Sequence, residues 1–226
     1  MGRRKKEPKS THREHIASAA SVLFLQKGIA ATSMDDIAKA AGYSKATLYV
    51  YFENKDEIIG LLVLDSMKKL YDCIASALAQ PVSTKERYDL ICGGLAAYQE
   101  EFPFYFQMAL EKINIDLEAA PCLPEEKETY QVGEEINEKL KEFLLAGIEN
   151  GDLRRDLPVL PTIFALWGML AGLVQLAANK EAYIAGTMAL SKKEFMAYGF
   201  QMLYFFVSGE TGLSAGRKIL IFAGNV

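Results

Sequence analysis

The chain has 226 residues, of which 50% are hydrophobic and 24% charged, and its formal net charge is -4. This length suits one large domain or a small domain joined to a larger one, and the apolar content allows a sizeable core. Three cysteines, an odd number without a C-x-x-C pair, argue against a disulfide framework and for a reducing compartment. No secretory apolar stretch follows the basic start, so we expect a cytoplasmic protein.

Charge is unevenly distributed along the chain. Residues 1–60 contain 10 Lys+Arg and 7 Asp+Glu, a balance of +3, whereas residues 61–226 contain 15 and 22, a balance of -7, and the two sum to -4. A basic first quarter on an acidic remainder predicts that the N-terminal part binds a polyanion.

Apolar residues recur at spacings of three and four through most of the chain, which predicts an all-α protein of about nine helices. The first helix is predicted from about Thr11 to Lys27, with Gly28 as its stop. Ser33 and Asp36 form an S-x-x-D capping pattern that begins a short second helix. Gly42 is expected to end that helix.

The third helix begins at Ser44, whose hydroxyl is placed to accept a hydrogen bond from the Thr47 amide. Tyr43 before the cap and Leu48 inside the helix are spaced as a hydrophobic staple. The two short helices, joined by residues 42–44, therefore predict a helix-turn-helix. A fourth helix follows from about Asn54.

At about 100° per residue, Leu48 and Phe52 fall on one side of the third helix and are expected to face the core. Small and polar residues occupy the opposite side, and two tyrosines lie on its flanks. These residues are Ala46, Thr47, Val50, Tyr49 and Tyr51. A short helix that presents such residues outward suits insertion in the major groove of DNA, although a solvated helix in a small bundle is the simpler alternative.

The segment TSMDDIAKAAGYSKATLYVYFENKDEI resembles the N-terminal signature of the tetracycline-repressor (TetR/AcrR) family of bacterial one-component regulators. The resemblance extends from about Ile16 to Leu62. It implies a dimeric regulator that binds an operator in double-stranded DNA and responds to a small effector, as a repressor rather than an activator. The DNA-facing positions that it implies are Thr32, Ser33, Ser44, Lys45, Ala46, Thr47, Tyr49, Tyr51 and Lys55.

One position departs from the family pattern, because Ala46 stands where the family commonly has glycine, and its side chain restricts the approach of the backbone to a base. The basic arm before the first helix has two interpretations: it contacts the minor groove or phosphates, or it is a solvated tail. The arm comprises Arg3, Arg4, Lys5, Lys6 and Lys9. We predict a DNA-binding domain over residues 1–53, including this arm, and an effector-binding and dimerisation domain over residues 54–226.

Residues 163–178 contain no charge, which raises the question of a membrane span, but the stretch is short and follows two prolines. A buried helix is therefore expected. Gly168 and Gly172 stand four apart in it, and Gly199 interrupts a second apolar helix. Two such helices predict a four-helix dimer interface, which a twofold-symmetric DNA reader and a palindromic operator would require. A monomer core is the alternative.

Aromatic residues cluster around Pro103, where they line a ligand cavity or fill a helical bundle. The resemblance favours a cavity for an apolar or aromatic effector. The predicted ligand-binding residues are Tyr98, Phe102, Phe104, Phe106, Gln107, Trp167 and Gln175. Gln175 has a second interpretation, as a hydrogen-bonding residue across the dimer.

The sequence does not predict an enzyme, a metal site or a cofactor. His12 and His15 are the only histidines, and only Glu14 lies beside them, so we interpret them as solvent-facing residues near DNA. Neither G-x-S-x-G nor a phosphate-binding loop occurs. The alternative to a regulator is a helical dimeric scaffold or interaction protein without sequence-specific DNA binding.

Overall fold

A computed structural model describes residues 8–111 and 123–209, in which every regular element is an α-helix. The all-α prediction is therefore confirmed for this part of the chain, which contains ten helices. In chain order they are α1 (Lys9–Lys27), α2 (Met34–Ala40), α3 (Lys45–Tyr51), α4 (Lys55–Leu78), α5 (Thr84–Glu101), α6 (Pro103–Glu111), α7 (Pro124–Glu149), α8 (Val159–Asn179), α9 (Glu181–Met188) and α10 (Lys192–Ser208). The first seven residues, which hold most of the basic arm, lie outside the described residues.

Side-chain caps begin the helices that the sequence placed most accurately. Ser33 and Asp36 form a complete capping box at α2, and Ser191 forms another with Glu194 at α10. The Ser44 hydroxyl accepts from the Thr47 amide at 3.1 Å, as predicted. Each cap satisfies an amide that helix geometry leaves without an intrahelical partner, which is why these starts are readable from local sequence.

The helix that the sequence analysis missed is α9. Lys180 ends α8 and also precedes α9, and it makes no side-chain cap at that start. The predicted apolar helix ends at Ala178, close to the observed end of α8 at Asn179, but no capping residue marks the start of α9. The separation of the two helices is a single residue, Lys180, which leaves the helical conformation at ψ 20°.

The chain divides into two compact units, residues 1–69 with 102–132 and residues 70–101 with 133–226. The first unit contains α1–α3, the beginning of α4, all of α6 and the beginning of α7. It therefore includes more of the chain than the predicted DNA-binding segment 1–53. Its core brings together side chains from α1, α2, α3, α4 and α6. The buried core residues are Ile16, Ala17, Ala20, Phe24, Ile37, Ala38, Ala41, Leu48, Phe52, Ile58, Leu62, Val63, Phe104 and Met108.

The second unit packs α5, α8, α9 and α10 together with the remaining parts of α4 and α7. The Tyr88 hydroxyl on α5 donates to the Phe200 carbonyl of α10 at 2.9 Å. Helices α8 and α10 pack closely where Gly199 faces Leu173, since a Cβ at Gly199 would lie 2.4 Å from a Leu173 methyl carbon. Glycine at this position therefore allows the close approach of the two helices.

By length and composition alone, α8 is apolar enough to cross a membrane. In the structure, one side of this helix is buried, including Ile163, Leu170 and Val174. The other side is exposed and also apolar, with Phe164 at 62% and Leu176 at 48% exposure. The hydropathy of α8 is thus high because both of its sides are apolar: one packs within the second unit, and the other is exposed in the single chain.

Replacing Gly199 with alanine should lower the free energy of unfolding, because the added Cβ overlaps Leu173. Overpacking costs about 1 to 3 kcal/mol, against a gain of up to about 1 kcal/mol from placing alanine in a helix. Gly93→Ala in α5 is the matched control, since a Cβ there meets nothing within 4 Å. Urea denaturation should show Gly199→Ala destabilised and Gly93→Ala unchanged or stabilised. Equal midpoints for the two variants would contradict the proposed packing.

Candidate nucleic-acid interface and ligand cavity

Helices α2 and α3 are joined by a turn that depends on Gly42. Its φ of 73° lies in the left-handed region, which other residues adopt at a cost. The Tyr43 amide donates to the Ala38 carbonyl at 2.9 Å, and the Gly42 amide donates to the Lys39 carbonyl at 3.2 Å. These two bonds form a Schellman motif, which ends α2 and sets the direction in which α3 begins.

Helix α3 is held by two buried side chains, Leu48 and Phe52, with 0% and 1% exposure. Its opposite side is exposed, most of all at Val50 with 67% and Tyr49 with 45%. Lys45, Ala46 and Ser44 are also exposed, while Thr47 and Tyr51 are half-buried. The predicted orientation of α3 is therefore the one that the structure has.

The cation at the start of α3 has an acidic neighbour. Lys45 Nζ lies 2.9 Å from Asp35 Oδ1, and both side chains are about half exposed or more. The contact with Asp35 raises the pKa of Lys45 above its usual value, because the carboxylate favours the charged form of the ammonium. This pair is not predictable from the local sequence, because the two residues are ten positions apart and lie on different helices.

Tyr43 and Tyr51 flank the start and end of α3 and share a neighbour on α1. His12 Nδ1 is 2.7 Å from the Tyr43 hydroxyl, and the His12 ring lies 5.1 Å from the Tyr51 ring. His12 is half-buried rather than solvent-facing as the sequence analysis expected, whereas His15 is exposed. Spacing within the first helix gave no signal of this contact, because the tyrosines lie more than 30 residues away.

Three of the predicted DNA-facing residues make contacts inside the protein. Thr32 is 2% exposed, and its hydroxyl donates to the Gly28 carbonyl at 2.8 Å. Lys55 donates to the Ile29 carbonyl at 2.7 Å and to the Thr32 carbonyl at 3.0 Å. Ser33 is exposed but serves as the cap of α2. The contacts of Thr32 and Lys55 thus connect the turn before α2 to the start of α4. DNA contacts from Thr32, Ser33 and Lys55 stay predictions.

The predicted ligand residues do not gather in one place. Phe104 and Phe106 are buried in the first unit, where Phe102 lies beneath the Lys69 ammonium at 4.2 Å. Gln107 is exposed and Tyr98 is buried in the second unit. The Gln175 amide donates to Asn179 Oδ1 of its own helix at 3.1 Å. Of the seven predicted residues, Trp167 is the one that lines the cavity described next.

The second unit contains a cavity of about 50 Å³ whose lining is apolar and includes one tyrosine. Helices α4, α5, α7 and α8 supply the lining residues, which are Ile74, Tyr88, Ile91, Leu95, Leu140, Phe143, Leu144, Ile163, Leu166, Trp167 and Leu170. The Tyr88 hydroxyl is already bonded to the Phe200 carbonyl, and burial raises the pKa of Tyr88 far above its usual value. The lining is therefore uncharged at neutral pH.

Helices α8 and α10 each expose an apolar stripe. On α8, a Cβ added at Gly168 or Gly172 would meet nothing within 4 Å, so both glycines face open space in the single chain. On α10, Tyr198, Met202 and Phe206 are 48%, 38% and 61% exposed. Gly199, the third glycine predicted at the dimer interface, packs against Leu173 of its own chain, and its place in an interface stays a prediction.

The capped helices, the Schellman turn and the exposed side of α3 together form a helix-turn-helix, an arrangement that many proteins use to bind DNA. Residues 16–61 match the family model described as bacterial regulatory proteins, tetR family. The match covers the helix-turn-helix and the beginning of α4, which is the region of the resemblance seen in the sequence.

Two curated relatives and one solved structure illustrate the extent of the similarity. The chain is 39% identical over 77 residues to the transcriptional regulator TtgR of Pseudomonas putida, covering 34% of this chain and 36% of that protein. It is 28% identical over 164 residues to the transcriptional repressor KstR2 of Rhodococcus jostii, covering 67% of this chain and 72% of the relative. The regulator FadR from Bacillus subtilis, solved in complex with stearoyl-CoA, has the same fold, with a TM-score of 0.65, 19% identity and coverage of 88% of this chain and 99% of that one.

Replacing Lys55 with methionine should destabilise the first unit, because the Ile29 and Thr32 carbonyls lose their donor. Leaving partly buried acceptors unsatisfied costs about 1 to 3 kcal/mol. Lys39→Met, at an exposed position of α2, is the control with the same loss of charge. Thermal unfolding followed by circular dichroism should separate the two variants, and equal stability would show that the Lys55 bonds contribute little.

Proposed function

We propose that this protein is a ligand-responsive transcriptional repressor of the cytoplasm that binds a palindromic DNA operator as a homodimer. The observation that carries the proposal is the exposed side of α3, which is aimed outward by the burial of Leu48 and Phe52. Val50 and Ala46 on that side are small enough to approach base edges and contact thymine methyl groups. The printed name of KstR2 as a repressor supports repression over activation.

The exposed residues of the helix-turn-helix suit two kinds of DNA contact. Lys45 and Thr47 at the start of α3 offer donors to base edges or phosphates. Tyr49 and Tyr51 place hydroxyl groups on the flanks, where phosphates border the groove. Ser33 and Ser44 cap the two helices at their N-termini, where exposed amides favour an anion. Phosphate contacts position the helix, and base contacts then provide specificity.

Dimerisation is proposed through the apolar stripes of α8 and α10. Each stripe would otherwise expose large apolar side chains such as Phe164 and Phe206 to water. Gly168 and Gly172 give the α8 stripe a low surface that a second helix can approach closely. Two copies related by a twofold axis would present two α3 helices to the two half-sites of a palindrome.

The proposed effector site is the cavity beside Trp167. Because its lining is uncharged and the Tyr88 hydroxyl is already bonded, the cavity favours an apolar or aromatic group over a charged one. FadR of Bacillus subtilis was solved with stearoyl-CoA. In this protein, the cavity suits only the hydrocarbon part of such a molecule, and at about 50 Å³ it must widen to accept a long chain.

DNA binding is tested by replacing Tyr49 with phenylalanine and Thr47 with alanine. Loss of the Tyr49 hydroxyl should weaken binding to all duplexes alike, whereas loss of the Thr47 hydroxyl should change which sequence is preferred. Fluorescence anisotropy over a salt series measures affinity, and selection from a randomised duplex library measures preference. A scaffold protein would show no salt-dependent binding to duplex DNA, and that result would overturn the proposal.

Dimerisation is tested by Gly172→Leu. The added side chain has open space within the single chain, so folding should be preserved while close contact between two copies is blocked. Overpacking of an interface costs about 1 to 3 kcal/mol, or roughly 5- to 150-fold in the dimer dissociation constant. Sedimentation velocity should show monomer at concentrations where the parent is dimeric. An unchanged dissociation constant would place the interface elsewhere.

The effector site is tested by filling the cavity with Leu140→Phe. Leu145→Phe is the matched control, because Leu145 lies on the same helix, is 47% exposed and is not among the lining residues. Toluene, naphthalene and decanol serve as uncharged probes, and binding is read from the emission of Trp167, the one tryptophan in the chain. Leu140→Phe should weaken binding at least tenfold, and Leu145→Phe should leave it unchanged.

A bound probe should also weaken DNA binding, because the proposed effector binds the DNA-free form more tightly than the DNA-bound form. A ligand shifts the equilibrium between the two forms only by this difference in affinity. A tenfold preference for the DNA-free form corresponds to about 1.4 kcal/mol. Probes that change Trp167 emission without changing DNA affinity would show a cavity without a regulatory role.

A further inference from the structure

The exposed ion pair between Asp35 and Lys45 places a negative charge on the proposed DNA-facing surface. Lys45 is the first residue of α3, and Asp35 lies in the first turn of α2. Their charged atoms are 2.9 Å apart, and the Lys45 and Asp35 side chains are 61% and 48% exposed. An incoming phosphate must therefore compete with the Asp35 carboxylate for the Lys45 ammonium.

Two further lysines of the helix-turn-helix are also engaged within the protein. Lys27 binds Asp36 at 2.8 Å, and Lys55 donates to two backbone carbonyls. Lys45 differs from both because it lies on α3 itself, beside the exposed residues Ala46 and Tyr49. Asp35 consequently neutralises a cation on the helix that is proposed to enter the groove.

We propose that Asp35 weakens binding to DNA of arbitrary sequence by holding Lys45 in an ion pair that DNA must break. This inference rests on the proposed function of α3 as the DNA reader. Non-specific binding comes almost wholly from contacts between cations and phosphates, so it bears the full cost of breaking the pair. Base-edge contacts at a preferred sequence add free energy to this balance without removing the cost of separating the pair.

The expected size of the effect follows from the exposure of the pair. Ion pairs between exposed side chains contribute about 0.2 to 1 kcal/mol, which corresponds to roughly 1.5- to 5-fold in affinity. The salt dependence should change as well. When Asp35 is replaced by a neutral residue, Lys45 displaces a counterion from DNA, and no carboxylate is left behind to bind a cation from solution. The slope of log affinity against log salt should therefore steepen by up to about one.

A double-mutant cycle tests the proposal with Asp35→Asn, Lys45→Met and the double variant of the full chain. The probe is a short duplex of random sequence, with affinity measured by anisotropy over a salt series. Asp35→Asn should bind about two- to fivefold more tightly than the parent. In the Lys45→Met background, the same change should have no effect, because the ammonium that Asp35 holds is gone.

The matched control is Asp89→Asn in α5, which removes the same charge and breaks a comparable exposed pair with Lys85 in the second unit. It should leave DNA affinity unchanged, which separates the local pair from the net charge of the protein. Circular dichroism melting checks folding, and Asp35→Ser repeats the test if Asp35→Asn does not fold.

Each outcome has one meaning. Tighter binding by Asp35→Asn that disappears in the Lys45→Met background supports the proposal. An equal gain in both backgrounds would show direct repulsion of phosphate by Asp35 and overturn it. Weaker binding by Asp35→Asn would show that Asp35 positions Lys45 for DNA, and it would also overturn it. Absence of DNA binding by the parent protein would instead reject the proposed function.

Discussion

Burial of Leu48 and Phe52 is the constraint on which the orientation of α3, and hence its exposed side, depends. These two side chains lie in the core of the first unit, together with Ile16, Ile37 and Phe24 from the two preceding helices. Because residues four apart share a side of a helix, burying them leaves Ala46 and Val50 facing outward. The orientation of α3 is thus determined by packing on its apolar side, and its exposed side takes no part in that packing.

Polar contacts, in addition to the apolar core, hold the helix-turn-helix in its shape. The Schellman turn at Gly42 sets the direction of α3, and the Lys55 ammonium fastens the turn before α2 by binding two carbonyls. Lys45 is engaged in the ion pair with Asp35. The helix-turn-helix therefore engages both Lys55 and Lys45 in contacts within the protein, and these contacts limit how much free positive charge it presents.

The many apolar residues of the second unit lie in three different environments. Part of it forms the contact between α8 and α10, part lines the small cavity beside Trp167, and part is exposed as stripes on the same two helices. A helix such as α8 therefore has apolar residues on most of its surface, each side for a different reason. This distribution explains why hydropathy alone raised the question of a membrane span.

The amino-acid sequence by itself determined the helical class, the capped starts of α2, α3 and α10, and the side of α3 that packs. These features follow from interactions between residues within about four positions, such as Ser33 with Asp36, or from the period of one helix. The family resemblance likewise lies within one continuous segment, residues 16–61. Local sequence was sufficient in each case because the interacting groups are close along the chain.

Only the tertiary structure decided which residues from distant segments meet. Burial of Thr32, the contact of His12 with Tyr43, and the assignment of Phe104 to the first unit and Trp167 to the second all depend on how helices pack. The cavity was missed for the same reason, since four helices contribute to its lining. Gly199 and Gly172 look alike in the sequence, yet one meets Leu173 and the other meets open space, because a glycine's role is set by the surface opposite it.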